Sequence, residues 1–484
     1  MRSTATALAD IIDNSIAAEA EHVELTFTWE GDQSCISILD DGRGMDAREL
    51  DMAMRLGERN PLDQRVEQDL GRFGLGLKTA SFSQCRRLTV ASIQDGALNC
   101  LRWDLDVLAA STDGGWYLLE DVAPGSEHLL MPLKTAGRGT LVLWEQLDRI
   151  VTTGFGEQDF LDMVDAVERH LSMVFYRYLD GVQPELRLLL NGRTVAPWDP
   201  FLESHPATWP SPVERLSSAG KAIEVQAFVL PHKDYLTVSQ EQSAAGPHGW
   251  TAQQGFYVYR NRRLLLAGSW LRLGQGRPWT KEEAHRLARI RLDITNSADA
   301  DWKIDIRKST ASPPVALRAI LMRIAEDTRA RARRVFAHRG VPFSSKGNSP
   351  VQQAWRTERS GTDVRYRIDR EHPAVNAVFD DAGVSRAELE AMLRVIEETV
   401  PVQRIWLDTT EAHETPRTGF AGDPPSEVRA VLIVMYRNLV LRKGMSPSLA
   451  REQLLHTEPF NNHPELVSAL PDQLEAGEQD DVHP

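Results

Sequence analysis

Three short segments, in one order within the first 78 residues, constrain this chain more than any other feature. They are Asp10-Ile11-Ile12-Asp13-Asn14-Ser15, Asp40-Asp41-Gly42-Arg43-Gly44, and Gly71-Arg72-Phe73-Gly74-Leu75-Gly76-Leu77-Lys78. The first lies in an apolar stripe of helical period, formed by Leu8, Ile11, Ile12 and then Ser15 or Ile16, which predicts a helix over 7–18. Asp10 and Asn14 then lie one turn apart on one face. An aspartate there can accept a proton from water. An uncharged amide oxygen suits a hard cation that stays bound mostly through phosphates and water. The same pair would also serve as solvent-facing helix residues.

Residues 33–39 read as a strand that delivers Asp40 to its end. A carboxylate in that place can accept a hydrogen bond from an exocyclic amine such as that of adenine. Gly42 and Gly44, followed by Met45, would let a base approach the backbone. An Asp-Gly pair also suits an ordinary turn. Gly71, Gly74 and Gly76 precede a helix start at Leu77-Lys78. Backbone N–H groups at such a terminus bind phosphate, with Lys78 directed at the phosphate or at the helix end. Neither the dinucleotide fingerprint nor the P-loop is present. The stretch from Met45 to Gln68 is polar and charged (Glu58, Arg59, Asn60, Asp63, Arg65, Glu67) and is expected to be a mobile lid. Thr140 precedes the strand 141–144 and is placed to close hydrogen bonding around a base or its water.

Together these residues resemble the Bergerat-fold (GHKL) ATPases: gyrase B, the ninety-kilodalton heat-shock chaperone, sensor histidine kinases and MutL. Among them the nearest likeness is to prokaryotic MORC-like members. The resemblance implies an α+β chain that binds ATP and Mg²⁺. It implies Asn14 as the Mg²⁺ ligand, Asp40 as the adenine ligand, and Gly42, Gly44 and Met45 beside the base. It further implies Gly71, Gly74, Gly76, Leu77 and Lys78 as the phosphate lid, and Thr140 at the adenine end. The family's general base is usually a glutamate four residues before the asparagine. Here that position is Asp10, one methylene shorter, which implies action through water or slow hydrolysis.

The likeness extends to about residue 340. An S5-like transducer is expected, with strands at 221–230, 254–260 and 289–294 and a return strand 264–266 after the turn Asn261-Arg262-Arg263. Two-domain relatives carry a transducer lysine that reaches the γ-phosphate, where a cation offsets developing charge. Lys308 is the first choice here and Lys303 the second; both also fit as solvent-facing lysines. The expected organisation is a Bergerat α/β sandwich at 1–200, the transducer at 201–343, and a linker at 344–362. A small C-terminal domain, α+β or mainly helical, follows at 363–465, and an acidic disordered tail at 466–484.

Net charge is −14, from 55 basic and 69 acidic side chains, which argues against a globally nucleic-acid-binding surface. A local basic groove stays open. A helix at 315–339 carries Arg323, Arg329, Arg331, Arg333, Arg334 and Arg339, either as phosphate contacts or as a solvated face. Cys35, Cys85 and Cys100 lack metal-ligand spacing and suit a reducing compartment. The absence of a long apolar run predicts a cytoplasmic protein with no membrane partner.

The expected function is an Mg²⁺-dependent ATP hydrolase working as an ATP-gated switch or clamp, with an ATP-dependent homodimer. By family analogy its client is double-stranded DNA, in antiviral defence or DNA maintenance. The alternatives are a chaperone-like ATPase that remodels a protein partner, reached through the C-terminal domain, and a nucleotide-held scaffold of very low turnover. The first motif begins within ten residues of Met1, so a phosphoacceptor-histidine domain ahead of it is not expected.

Overall fold

The computed structural model describes residues 3–55, 76–111, 115, 117–218, 221–295, 302, 311–338, 352–360, 363–380, 385–402, 405, 426–457, 460 and 464–471. The chain divides into two units, Met1–Phe343 and Ser344–Pro484, and its class is α+β.

The first unit begins with α1 (Thr4–Ala17), then β1 (His22–Thr28), β2 (Cys35–Asp40), α2 (Ala47–Met54), α3 (Gly76–Ser81), β3 (Arg87–Gln94), β4 (Ala97–Asp104) and α4 (Leu105–Ala110). It continues with β5 (Leu119–Glu120), α5 (Met131–Ala136), β6 (Gly139–Glu145), α6 (Glu157–Val174), α7 (Tyr176–Leu179), β7 (Arg187–Leu190) and β8 (Arg193–Thr194). The eight strands form one sheet in the order β5-β4-β3-β6-β2-β1-β7-β8, antiparallel except for β1 beside β7. Side chains alternate across a strand, so each strand feeds two cores. Leu88, Val90, Val142 and Trp144 join Leu8, Ile11 and Ile12 of α1 on one face. Ala91, Ile93 and Leu141 point to the other, under Leu130 and Leu133.

Helix α1 starts earlier than its apolar stripe suggests, because Ser3 caps it by accepting from the Thr6 N–H at 3.3 Å. It packs against α3 and α6, and Leu8, Ile11, Ile12 and Ser15 are buried as the stripe requires. The expected lid differs in its first part. Residues 47–54 form α2, with a capping box between Asp46 and Glu49. Leu50 and Met54, one turn apart, are both fully buried, and the Trp103 indole N–H donates to the Met54 carbonyl at 2.9 Å. Residues 56–68 of that stretch lie outside the described residues. The helical run from Glu157 to Leu179 breaks at Phe175, whose side chain is fully buried, into α6 and α7.

The second sheet contains β9 (Trp209–Pro210), β10 (Glu214–Ser218), β11 (Lys221–Val229), β12 (Gly255–Arg260), β13 (Arg263–Ser269) and β14 (Ala288–Ile294). Helix α8 (Val238–Ala245) follows β11, and α9 (Val315–His338) follows β14. The order is β10-β11-β14-β12-β13, with β9 also on β11. One face, through Ile223, Val225, Ile290 and Leu292, meets Leu317, Leu321 and Ile324 of α9. The other, through Phe228, Tyr257, Tyr259 and Leu264, meets Phe201 and Met173 of α6. The hairpin turn has two residues rather than three. Asn261 and Arg262 both take positive φ (46° and 67°), the twist that a two-residue hairpin needs, so Arg263 belongs to the return strand.

The second unit has a two-stranded antiparallel ribbon, Trp355–Ser360 with Asp363–Ile368. Its helices include Pro373–Phe379, Arg386–Thr399, Ser426–Arg437, Pro447–Leu455 and Pro464–Ser468. Leu432, Met435, Tyr436, Leu439, Leu454 and Phe460 form its core. Part of the expected linker is thus a strand; its polar sequence, Trp355-Arg-Thr-Glu-Arg-Ser360, hides the pairing partner. Ile405 is helical, and residues 403–404 and 406–425 lie outside the described residues. The tail expected at 466–484 is ordered at its start, where Pro464–Ser468 is helical and Val467 and Leu470 join the core, and residues 472–484 lie outside the described residues.

Candidate nucleotide site

The register of three adjacent strands builds the centre of the site. Thr140 of β6 lies opposite Asp40 on one side and Ser92 on the other, so the three residues form a row across the sheet. The Asp40 carboxylate is buried and closes three distant segments. Its Oδ1 accepts from the Gly42 and Thr140 N–H groups, both at 3.1 Å, and its Oδ2 accepts from the Ser15 hydroxyl at 2.8 Å. Burial raises its pKa, and the Ser15, Gly42 and Thr140 hydrogen bonds oppose that rise. A carboxylate offers about four lone-pair sites, so acceptor capacity remains for one ligand N–H.

Ser92 ties the row to the turn after Asp40. Its hydroxyl donates to the Gly139 carbonyl at 3.0 Å, lies 2.9 Å from Thr140 Oγ1, and accepts from the Met45 N–H at 2.8 Å. Neither Ser92 nor Ser15 was among the expected site residues. Ser15 could have been found as the polar member of an otherwise apolar stripe. Ser92 has no local signal; only the pairing of β3 with β6 brings it in.

The glycines have a purpose within the chain itself. A Cβ on Gly44, at φ +73°, would lie 2.1 Å from the Ile93 carbonyl oxygen. One on Gly139, at φ +103°, would lie 1.9 Å from the Asp40 carbonyl oxygen, and one on Gly42 would lie 2.8 Å from that of Ala18. These glycines let the chain pack on itself around Asp40. Gly44→Ala is therefore expected to lower unfolding free energy by about 1–3 kcal/mol, read from the urea midpoint.

On α1, Asp10 is buried, and Asn14 is exposed with its carboxamide hydrogen-bonded to none of the described residues. Asp13 is also buried, and Arg263 of β13 reaches both acids: Nε lies 3.0 Å from Asp13 Oδ1 and Nη2 lies 3.9 Å from Asp10 Oδ1. Asp10 is thus not a solvent-facing helix residue. Lys78, expected to face a phosphate or a helix end, meets a helix end here. It is buried, and its ammonium donates to the Ala53 carbonyl at 3.1 Å and to that of Arg55, at the C-terminal end of α2. A cation there satisfies carbonyls that the helix leaves open. Gly76 and Leu77 form the first turn of α3, with Leu77 packed against the core. Gly71, Gly74, Lys303 and Lys308 lie outside the described residues.

The arginines of α9 are partly engaged within the unit. The Arg329 guanidinium lies 4.9 Å from the Trp270 ring centre and 4.7 Å from that of Trp279, and Arg331 lies 4.5 Å from Trp209. Arg323 pairs with Glu214 at 2.8 Å, whereas Arg333 and Arg334 are exposed. The three cysteines are unpaired thiols, and burial pushes that of Cys100 up to about 11. Among the described residues no helix is long and apolar enough to cross a membrane.

Residues 1–140 match the family model of the histidine kinase-, DNA gyrase B-, and HSP90-like ATPases. Over this N-terminal segment the chain is similar to that GHKL family. The matched range holds the three motifs and ends on Thr140. The chain is also similar to the ATPase morc-1 of Caenorhabditis elegans, at 28% identity over 95 residues. That match covers 20% of this chain and 11% of the relative, so the chain spans about a tenth of that protein's length.

Proposed function

We propose that this chain is an Mg²⁺-dependent ATP hydrolase that works as an ATP-gated switch. The observation that carries the proposal is the Asp40 row: a buried carboxylate, oriented by Ser15, Gly42 and Thr140, with one acceptor direction left over. An adenine amine fits that direction, and specificity follows because a buried acceptor disfavours a base that offers no donor. Asn14 fits Mg²⁺: its side chain is exposed, uncharged, and hydrogen-bonded to none of the described residues. When bound, the cation would neutralise phosphate charge. Asp10 would orient the attacking water and take its proton.

The proposed client is double-stranded DNA, in defence or genome maintenance, held between two copies that close in the ATP state. Exposed Arg333 and Arg334 support a phosphate contact. A protein client is the second reading, favoured by the engagement of Arg323, Arg329 and Arg331 inside the unit. The deciding experiment is ATP hydrolysis with and without duplex DNA at two salt concentrations. A DNA clamp is expected to show stimulation that fades steeply with salt, because each neutralised phosphate adds about 0.9 to the slope of log K on log salt. Hydrolysis that ignores DNA at low salt would favour the protein client, and absence of ATP binding would remove both.

A further inference from the structure

Arg263 opens β13 directly after the hairpin turn, and the second sheet thereby carries a guanidinium to helix α1 beneath the first. Its side chain is 4% exposed. Beyond Asp13 and Asp10, its Nη1 donates to the Leu264 carbonyl at 2.7 Å, and its Cζ lies 5.8 Å from the Phe175 ring centre. The neighbouring turn is docked as well. Tyr178 donates its hydroxyl to the Asn261 carbonyl, and Arg262 pairs with Glu185 and donates to the Arg177 carbonyl. Burial, and then the charge of Arg263, pushes the His170 imidazole of α6 down to about 4, so at neutral pH it brings no second cation to the cluster.

We propose that Arg263 is a positioning residue through which the second sheet controls the nucleotide site: anchored on Asp13 and held beside Asp10, it sets how α1 presents Asp10 and Asn14. The inference rests on the ATP-hydrolase reading above and adds a residue to it. Asp13 immediately precedes Asn14, and Asp10 lies one turn back, so one fork reaches both sides of the helical turn that would face the phosphates. Asp13 is 1% exposed, so pulling Arg263 away from this buried carboxylate is costly. When the second sheet moves, α1 therefore moves with it or the pair breaks at high cost; both link sheet position to the geometry of Asp10. This differs from a cation reaching the γ-phosphate, the role expected of Lys303 or Lys308.

The test uses the full chain with Arg263→Gln, Arg263→Lys, Asp13→Asn and the Arg263→Gln/Asp13→Asn pair. Each is measured for kcat, for KM, for affinity toward a non-hydrolysable ATP analogue with Mg²⁺, and for hydrogen exchange of peptides over 255–269. The expected result for Arg263→Gln is a fall in kcat of about tenfold or more with analogue affinity within about threefold of wild type. Asp13→Asn should match it, the pair should be no worse than either alone, and Arg263→Lys should recover part of the rate. Analogue binding should change exchange over 255–269 in wild type and not in Arg263→Gln. Arg263→Gln with wild-type kcat and a wild-type exchange response overturns the inference while the ATPase reading stands. So does a loss of kcat, affinity and melting temperature in step, which marks a merely structural pair. A wild-type protein that binds no analogue overturns the site reading and the inference together.

Discussion

Asp40→Asn is expected to weaken ATP binding by roughly 10- to 100-fold while the protein stays folded. The geometry explains why the loss falls on the ligand. Oδ1 holds two backbone N–H groups, from Gly42 and Thr140, so an asparagine oxygen is expected to take that position. The new amide nitrogen then replaces Oδ2 and can donate to the Ser15 hydroxyl, which is free to reverse its role. The fold therefore keeps its contacts. The adenine amine does not, because it now meets a donor where an acceptor stood. Calorimetric titration with ATP and Mg²⁺, beside a urea melt of each protein, reads both effects. An Asp40→Asn protein that binds ATP within about threefold of wild type would remove Asp40 from base recognition.

Asp10→Asn carries the other large effect. Turnover is expected to fall by about 10²–10⁴-fold, the usual share of a positioned general base, with ATP affinity retained. Asparagine keeps the size of the side chain, and its oxygen can still face Arg263 Nη2, now 3.9 Å from the carboxylate. Only the proton acceptor is removed. Single-turnover hydrolysis with enzyme in excess separates this step from product release. Unchanged single-turnover rates would show that Asp10 is a buried structural acid held for Arg263, and that the water is activated elsewhere.

Much of the candidate site was legible before the fold was known, for a definite reason. Asp10, Asn14, Asp40, Gly42 and Gly44 lie in local motifs, where helix period and turn chemistry place them without reference to distant contacts. Thr140 is remote in the chain but marks the start of a strongly apolar strand, so its element was readable even though its partner was not. Where expectation and structure part, a tertiary contact intervenes. Lys78 sits at a helix start in the sequence, yet in space it lies at the end of α2, where open carbonyls claim it. Residues 47–54 are charged enough to suggest a loop, yet Leu50 and Met54 find the core. Arg329 and Arg331 look like a basic face until three tryptophans from other segments cover them.

By itself the sequence determined the α+β class, the helix that bears Asp10 and Asn14, and the strand end that bears Asp40. Those follow from periodicity and from backbone rules that act over a few residues. The tertiary structure alone decided the row of Asp40, Thr140 and Ser92, since strand register is a property of pairs and not of single segments. It alone decided that Arg263 meets Asp13, which is 250 positions away. A buried charge takes whichever opposite charge the fold brings within hydrogen-bond distance, and no local pattern records that choice.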